Sequence, residues 1–191
     1  GVQEPHVAMD DAEVVFVGYG IRAPEFQWDD FKDADLKGKV LLVLNNDPDW
    51  DPALFAGKTR LYYGRWDYKY EEAARQGAAA VIIVHTTPSA GYGWNVVARS
   101  WAGTLWDVPA GDEPRLRFKS WLTEAAAHRL CALGGTNLDT LAAAARRRDF
   151  APVPLGVRTS LAFDVNVEHG ETANVIGVLP GRDPRLRDEA V

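Results

Sequence analysis

Two short runs of uninterrupted apolar residues do most to limit what this chain can become. Val40-Leu41-Leu42-Val43-Leu44 and Ala80-Val81-Ile82-Ile83-Val84 contain no polar side chain. A strand with one wet face alternates apolar and polar residues, so such runs suit strands buried on both faces, as in a parallel sheet. Between them residues 67–76 carry a helical signal. Tyr70, Ala73 and Ala74 fall on one face, Asp67 is placed to cap the start, and Gly77 supplies the stop. Strand, helix and strand predict a β-α-β unit, whose crossover should be right-handed.

The flanking segments read less sharply. Residues 1–12 are polar, contain Pro5 and read as an entering linker. Glu13-Val14-Val15-Phe16-Val17 is a strand signal running into Gly18-Tyr19-Gly20, and the polar stretch from Ala23 to Gly38 reads as irregular. Thr123 opens a predicted helix that ends near Leu133 at Gly134-Gly135. Asn137 or Asp139 starts another, over residues 141–147. Pro152 and Pro154 close that region. Residues 157–167 then alternate as a half-exposed strand should, with Leu161, Phe163, Val165 and Val167 on one side. A last strand is expected from Ala173 to Gly181, before a charged tail over 182–191. The fold class expected is therefore α/β, a small mixed sheet containing the β-α-β unit, with flanking helices.

Composition narrows the function. With 191 residues, 47% of them hydrophobic, the chain can bury one sizeable core. Its net charge is −6 and no basic stripe appears, since Arg146-Arg147-Arg148 is followed at once by Asp149. A nucleic-acid partner is therefore not expected. Cys131 is the only cysteine, which excludes an intramolecular disulfide and any zinc site built on several thiolates. No apolar run reaches the ~20 residues that span a bilayer.

Candidate catalytic patterns fail one by one. His6, His85, His128 and His169 stand in no His-x-Asp or His-Glu-x-x-His arrangement. Asp47, Asp49 and Asp51 start like a calcium loop. Pro52 and Lys58 then stand where a glycine and a bidentate Glu belong, so a solvated acidic turn is expected. Gly18-Tyr19-Gly20-Ile21-Arg22-Ala23 matches a dinucleotide fingerprint, yet Pro24 and the polar stretch after it deny the helix that the mechanism needs. His128 and Cys131 share a helix face among Ala and Leu, which is the setting of a packed thiol. The expectation is no catalytic residue, no metal and no cofactor in this chain.

Two long loops remain. Residues 45–66 carry Trp50, Phe55, Tyr62, Tyr63, Arg65 and Trp66; residues 86–100 add Tyr92, Trp94 and Asn95. Both leave strands of one parallel unit at their C-terminal ends, where open α/β sheets bind ligands. Aromatics with Arg are enriched in binding surfaces. Arg65, Trp66, Tyr92 and Trp94 are thus candidates for gating or binding a substrate. The alternative is that these aromatics form a small core beneath a long loop, and composition alone leaves both open.

A family likeness is carried by Val15-Phe16-Val17-Gly18-Tyr19-Gly20-Ile21, by Asp35-Leu36-Lys37-Gly38-Lys39-Val40, and by Glu72-Ala73-Ala74 through Gly77-Ala78-Ala79-Ala80-Val81-Ile82-Ile83-Val84-His85. Tyr62-Tyr63-Gly64-Arg65-Trp66 and Ala90-Gly91-Tyr92-Gly93-Trp94 add to it. In this order they resemble the protease-associated domain, in the version inserted in bacterial zinc aminopeptidases. Those enzymes are related to glutamate carboxypeptidase and the transferrin receptor ectodomain. The resemblance implies a domain over 13–171 that is not itself an enzyme. It also implies that residues 172–191, through Thr172-Ala173-Asn174-Val175-Ile176-Gly177-Val178-Leu179-Pro180-Gly181, begin a catalytic domain whose zinc ligands lie past Val191. Implied partners are that catalytic domain, peptide substrates and a second copy of the chain; family habit leans towards export. The rival class is a free-standing module that binds peptides or small molecules.

Overall fold

The computed structural model describes residues 2–109, 111–179, 181–183 and 185. Its centre is a five-stranded sheet built from β1 (His6–Phe16), β4 (Val40–Leu44), β5 (Ala80–His85), β6 (Phe118–Thr123) and β7 (Val153–Asp164). The order is β6-β5-β4-β1-β7; the first four run parallel, and β7 lies antiparallel to β1. A two-residue pair, β2 (Arg22–Ala23) and β3 (Trp28–Asp29), forms a separate small ribbon.

The two apolar runs are explained by their neighbours. Val40, Leu42, Ala80 and Val84 face a cluster closed by α4 (Glu124–Leu133), α5 (Leu138–Ala144) and β7. Leu41, Val43, Val81 and Ile83 face one closed by α1 (Trp66–Arg75). Both faces are dry, so alternation is not required. Helix α1 begins one residue before its predicted start, and Asp67 does not cap it. Arg65 holds the N-cap position without a side-chain bond, and Asp67 sits inside the first turn. The stop is as expected. Gly77 takes φ +74 and its N–H donates to Ala74, while Ala78 N–H reaches Ala73. Thr123 and Asn137 cap α4 and α5 through N–H bonds from Ala126 and Thr140.

Gly18 and Gly20 sit at φ +58 and +62, and the Gly20 N–H donates to Val17 O at 2.8 Å. They make a tight turn, and no α-helix starts there. Gly134 answers a different demand. A Cβ there would lie 1.6 Å from the Leu155 carbonyl oxygen, so the end of α4 meets β7 without room for a side chain. Cys131 is packed on α4 within the same cluster, and burial raises its thiol pKa.

Three expectations are corrected. Residues 6–12, expected as linker, belong to β1, where Val7 and Met9 are buried and the strand pairs with β7 as far out as His6↔Asp164. Exposed residues, His6, Ala8 and Asp10, alternate with these two, as a strand with one wet face requires. The ladder passes a bulge between Met9 and Ala12, where Asp11 (φ +49) accepts from Arg158 Nε at 2.7 Å. The strand expected over 173–181 is not formed among the described residues. Val175, Ile176, Val178 and Leu179 are exposed there, with no neighbouring strand to bond their backbone. Pro180, residue 184 and residues 186–191 of the tail lie outside the described residues. Finally, the sheet has a fourth parallel strand, β6, where no strand was expected.

Candidate functional site

The loop after β4 is mostly a small core. Phe55 is fully buried against Phe26 (ring centroids 4.4 Å apart), Trp28 (5.9 Å) and Tyr63 (5.5 Å). Trp50 packs on Tyr19 and Trp28, with the Arg146 guanidinium 4.3 Å above its ring. Of the two readings of this loop, the small-core one holds for Phe55, with Trp50 and Tyr63 half-buried against it.

The acidic turn is solvated at Asp49 and Asp51, as expected, but not at Asp47. Asp47 is buried, and its carboxylate accepts the Leu61 N–H at 3.0 Å, tying the two ends of the loop together. Beneath it lies Lys69 of α1, fully buried, with Nζ donating to Asn46 O at 2.8 Å. Asp30 is the strongest opposite charge acting on that ammonium, with Asp47 next. Asp30 accepts from Ile21 N–H (3.1 Å) and from the Trp28 indole N–H (2.9 Å). Burial pushes the Asp30 carboxyl up to about 7 and the Lys69 ammonium down to about 7. These groups knit three loops together under the site. Among the described residues, no three His, Cys, Asp or Glu side chains are grouped so that they could hold a metal ion.

The open feature lies beside α1. Trp66, Tyr92, Trp101, Trp106 and Trp121 line a pocket of about 430 Å³, with Lys119 and Asp107 at one wall. Trp66 is 38% exposed and stands edge-on to Trp101, centroids 5.6 Å apart. Trp106 is 79% exposed at the rim. The groove continues over a second stretch of about 530 Å³ along α1, sharing Trp66, Asp107 and Lys119 with the first.

Of the four predicted residues, Trp66 and Tyr92 come together in this pocket. Arg65 points elsewhere, to Asp67 at 3.5 Å. Trp94 opens the short helix α3 (Trp94–Ser100), which follows the single turn α2 (Thr87–Ala90), and covers His85, at 5.6 Å between rings. His85 itself is buried, with Nε2 3.0 Å from Tyr92 O, and so it anchors the loop that carries Tyr92. Trp101, Trp106, Lys119 and Trp121 were not foreseen. The signal available was Trp101 and Trp106 close together in an otherwise weakly patterned stretch, followed by Lys119-x-Trp121, two side chains on one face of a strand.

The PA domain family model matches residues 4–111, more than half of the chain. The chain belongs to the PA domain family. The matched region takes in β1, β4, β5, α1 with Trp66 and the loop bearing Tyr92, while β6, with Lys119 and Trp121, lies beyond it. No curated protein and no solved structure matches this PA domain.

Proposed function

We propose that this PA domain is the non-catalytic part of a zinc-dependent aminopeptidase, and that its aromatic pocket shapes which peptides reach the catalytic centre. The observation that carries the reading is the half-open cluster of Trp66, Tyr92, Trp101 and Trp121 on a domain of this family. A soluble domain gains nothing in stability by leaving several indoles half-wet, whereas a peptide side chain placed among them would be desolvated on several sides. The zinc parent rests on the resemblance of residues 172–181 to the strand with which such a catalytic domain resumes. The exposure of Val175, Ile176, Val178 and Leu179 fits a segment awaiting a sheet neighbour.

Two measurements test this. In the full-length protein, Trp66→Ala is expected to lower kcat/KM about tenfold for peptides with large apolar side chains, a loss of roughly 1.4 kcal/mol, and to spare alanine peptides. Unchanged selectivity in a variant with native circular dichroism would sink the gating role. The purified 191-residue chain supplied with zinc is expected to release no product from aminoacyl p-nitroanilides. Turnover that copurifies with the chain to constant specific activity would overturn the non-catalytic assignment.

A further inference from the structure

The pocket shares a strand with an unpaired sheet edge. β6 is the last strand of its sheet; β5 pairs with one side, and among the described residues no strand pairs with the other. A strand edge directs the N–H and C=O of every second residue outward, ready for a further strand. The start of this edge is shielded where the sheet curls, since Phe118 meets Phe163 of β7 with ring centroids 5.9 Å apart. Beyond Phe118 the Tyr70 hydroxyl donates to Ser120 O at 3.3 Å and leaves that carbonyl a second lone pair.

Lys119 and Trp121 stand two apart on β6 and therefore share a face, and both line the aromatic pocket. The Lys119 ammonium lies 5.6 Å from the Tyr70 ring centroid and has no ion-pair partner among the described residues. Asp107, which lines the same pocket, is held by Arg115 Nη1 at 3.2 Å. Asp67, Glu71 and Glu113 line the adjoining stretch. A ligand carboxylate is thus attracted at Lys119 and repelled further along the groove. The walls are mainly aromatic and aliphatic, with polar atoms from Ser100, Asp107, Lys119, the Tyr92 hydroxyl and the indole N–H groups, a lining that can take an apolar side chain with a charged one beside it.

We propose that an extended peptide segment adds to β6 as a sixth strand. One large apolar side chain enters the Trp66–Trp101–Trp121 pocket, and a carboxylate-bearing side chain two residues away meets Lys119. Main-chain bonds to the edge supply affinity, and the spacing of two supplies selectivity, because residues two apart in a strand fall on one face. This inference rests on the peptide-recognition reading above and adds to it the binding mode and the ligand pattern.

The experiment titrates the chain with acetylated, amidated peptides, so that the only carboxylate is on a side chain. Phe-Thr-Glu and Glu-Thr-Phe cores are compared with a Phe-Thr-Thr-Glu core, followed by amide NMR shifts and tryptophan fluorescence. One of the two-apart cores is expected to bind at least tenfold tighter than the three-apart core, with shifts centred on residues 118–123 and the indoles of Trp101 and Trp121. Lys119→Gln should erase that preference. N-methylation of alternate peptide amides, which leaves the protein untouched, should weaken binding at least tenfold. Equal affinity for both spacings, indifference to N-methylation, or no binding at millimolar peptide would each overturn the proposal. Shifts confined to residues 45–65 would overturn it too while leaving peptide recognition intact; that reading falls separately, on unchanged selectivity of the Trp66→Ala full-length protein.

Discussion

Replacing Lys69 by methionine is expected to cost about 3–5 kcal/mol of folding stability, the usual loss when one member of a buried charged set is removed. Methionine fills nearly the same space, so the loss is electrostatic and hydrogen-bonded in origin. Asn46 O loses the Nζ–H donor at 2.8 Å, and Asp30 is left buried without its cation. The pH dependence carries the signature. Asp30, raised from the ordinary 3.8 to about 7, holds more protons in the folded state, so its contribution is present at low pH and is lost as pH rises through about 7. Lys69, lowered from 10.5 to about 7, acts in the opposite sense; its contribution is present at high pH and is lost as pH falls through about 7. In the wild type the two oppose each other on either side of neutrality. Lys69→Met removes the second and strengthens the first, so the variant should be further below wild type at pH 8 than at pH 5. Urea denaturation at both values measures it. The double variant Asp30→Asn/Lys69→Met should lose the pH dependence and regain part of the stability. A Lys69→Met protein as stable as wild type at pH 8 would show that the three loops are not held through this lysine.

How much of this was legible follows from what each residue says by itself. β4, β5 and the span of α1 could be placed from the sequence to within a residue because apolar runs, a C-terminal glycine and helical spacing all point the same way. Thr123 announced α4 for the same reason, whereas for α5 the sequence left Asn137 or Asp139 open and placed the helix over 141–147, three residues late; Asn137 is the cap. β6 did not show. Phe118-Lys119-Ser120-Trp121-Leu122 mixes polar and apolar residues because an edge strand beside a half-open groove has no wholly dry face, so its pattern is weak. That concealed half of the site, since Lys119 and Trp121 come from β6. Trp66 and Tyr92, which the structure places in one pocket, could be singled out as candidates because long loops after parallel strands are the usual place for binding residues. Arg65 and Trp94 have the same residue chemistry and loop position, yet one turns to Asp67 and the other covers His85. Only three-dimensional packing separates the two pairs. Lys69 and Asp30 were hidden for a simpler reason: charged residues are almost never fully buried, so nothing in the sequence marks the exceptions.

Phe55→Ala is expected to be about as costly as Lys69→Met, and it decides what the long loop after β4 is. Phe55 is fully buried at the centre of a cluster with Phe26, Trp28 and Tyr63, apart from the two clusters on the faces of the main sheet. Truncating a buried phenylalanine removes its transfer free energy and leaves a cavity, about 3–5 kcal/mol together. For a chain of this size that lowers Tm by roughly 6–20 °C. The cluster belongs to one loop system, so the damage should also appear locally, as cleavage by thermolysin within residues 47–61 at temperatures where the sheet stays protected from hydrogen exchange. The site should feel this through one connection. Lys69, on the turn after Trp66, is bonded to Asn46 at the start of the same loop, so loosening the loop frees the first turn of α1 on which Trp66 stands. Peptide affinity is therefore expected to fall in Phe55→Ala although Phe55 does not line the pocket. If Tm and protease resistance are instead unchanged while binding falls, the ring is itself a contact surface and the buried-core account of this loop is wrong. If all three are unchanged, the loop is stabilised by Asp47 and Lys69 alone, and its aromatic cluster contributes nothing to the fold.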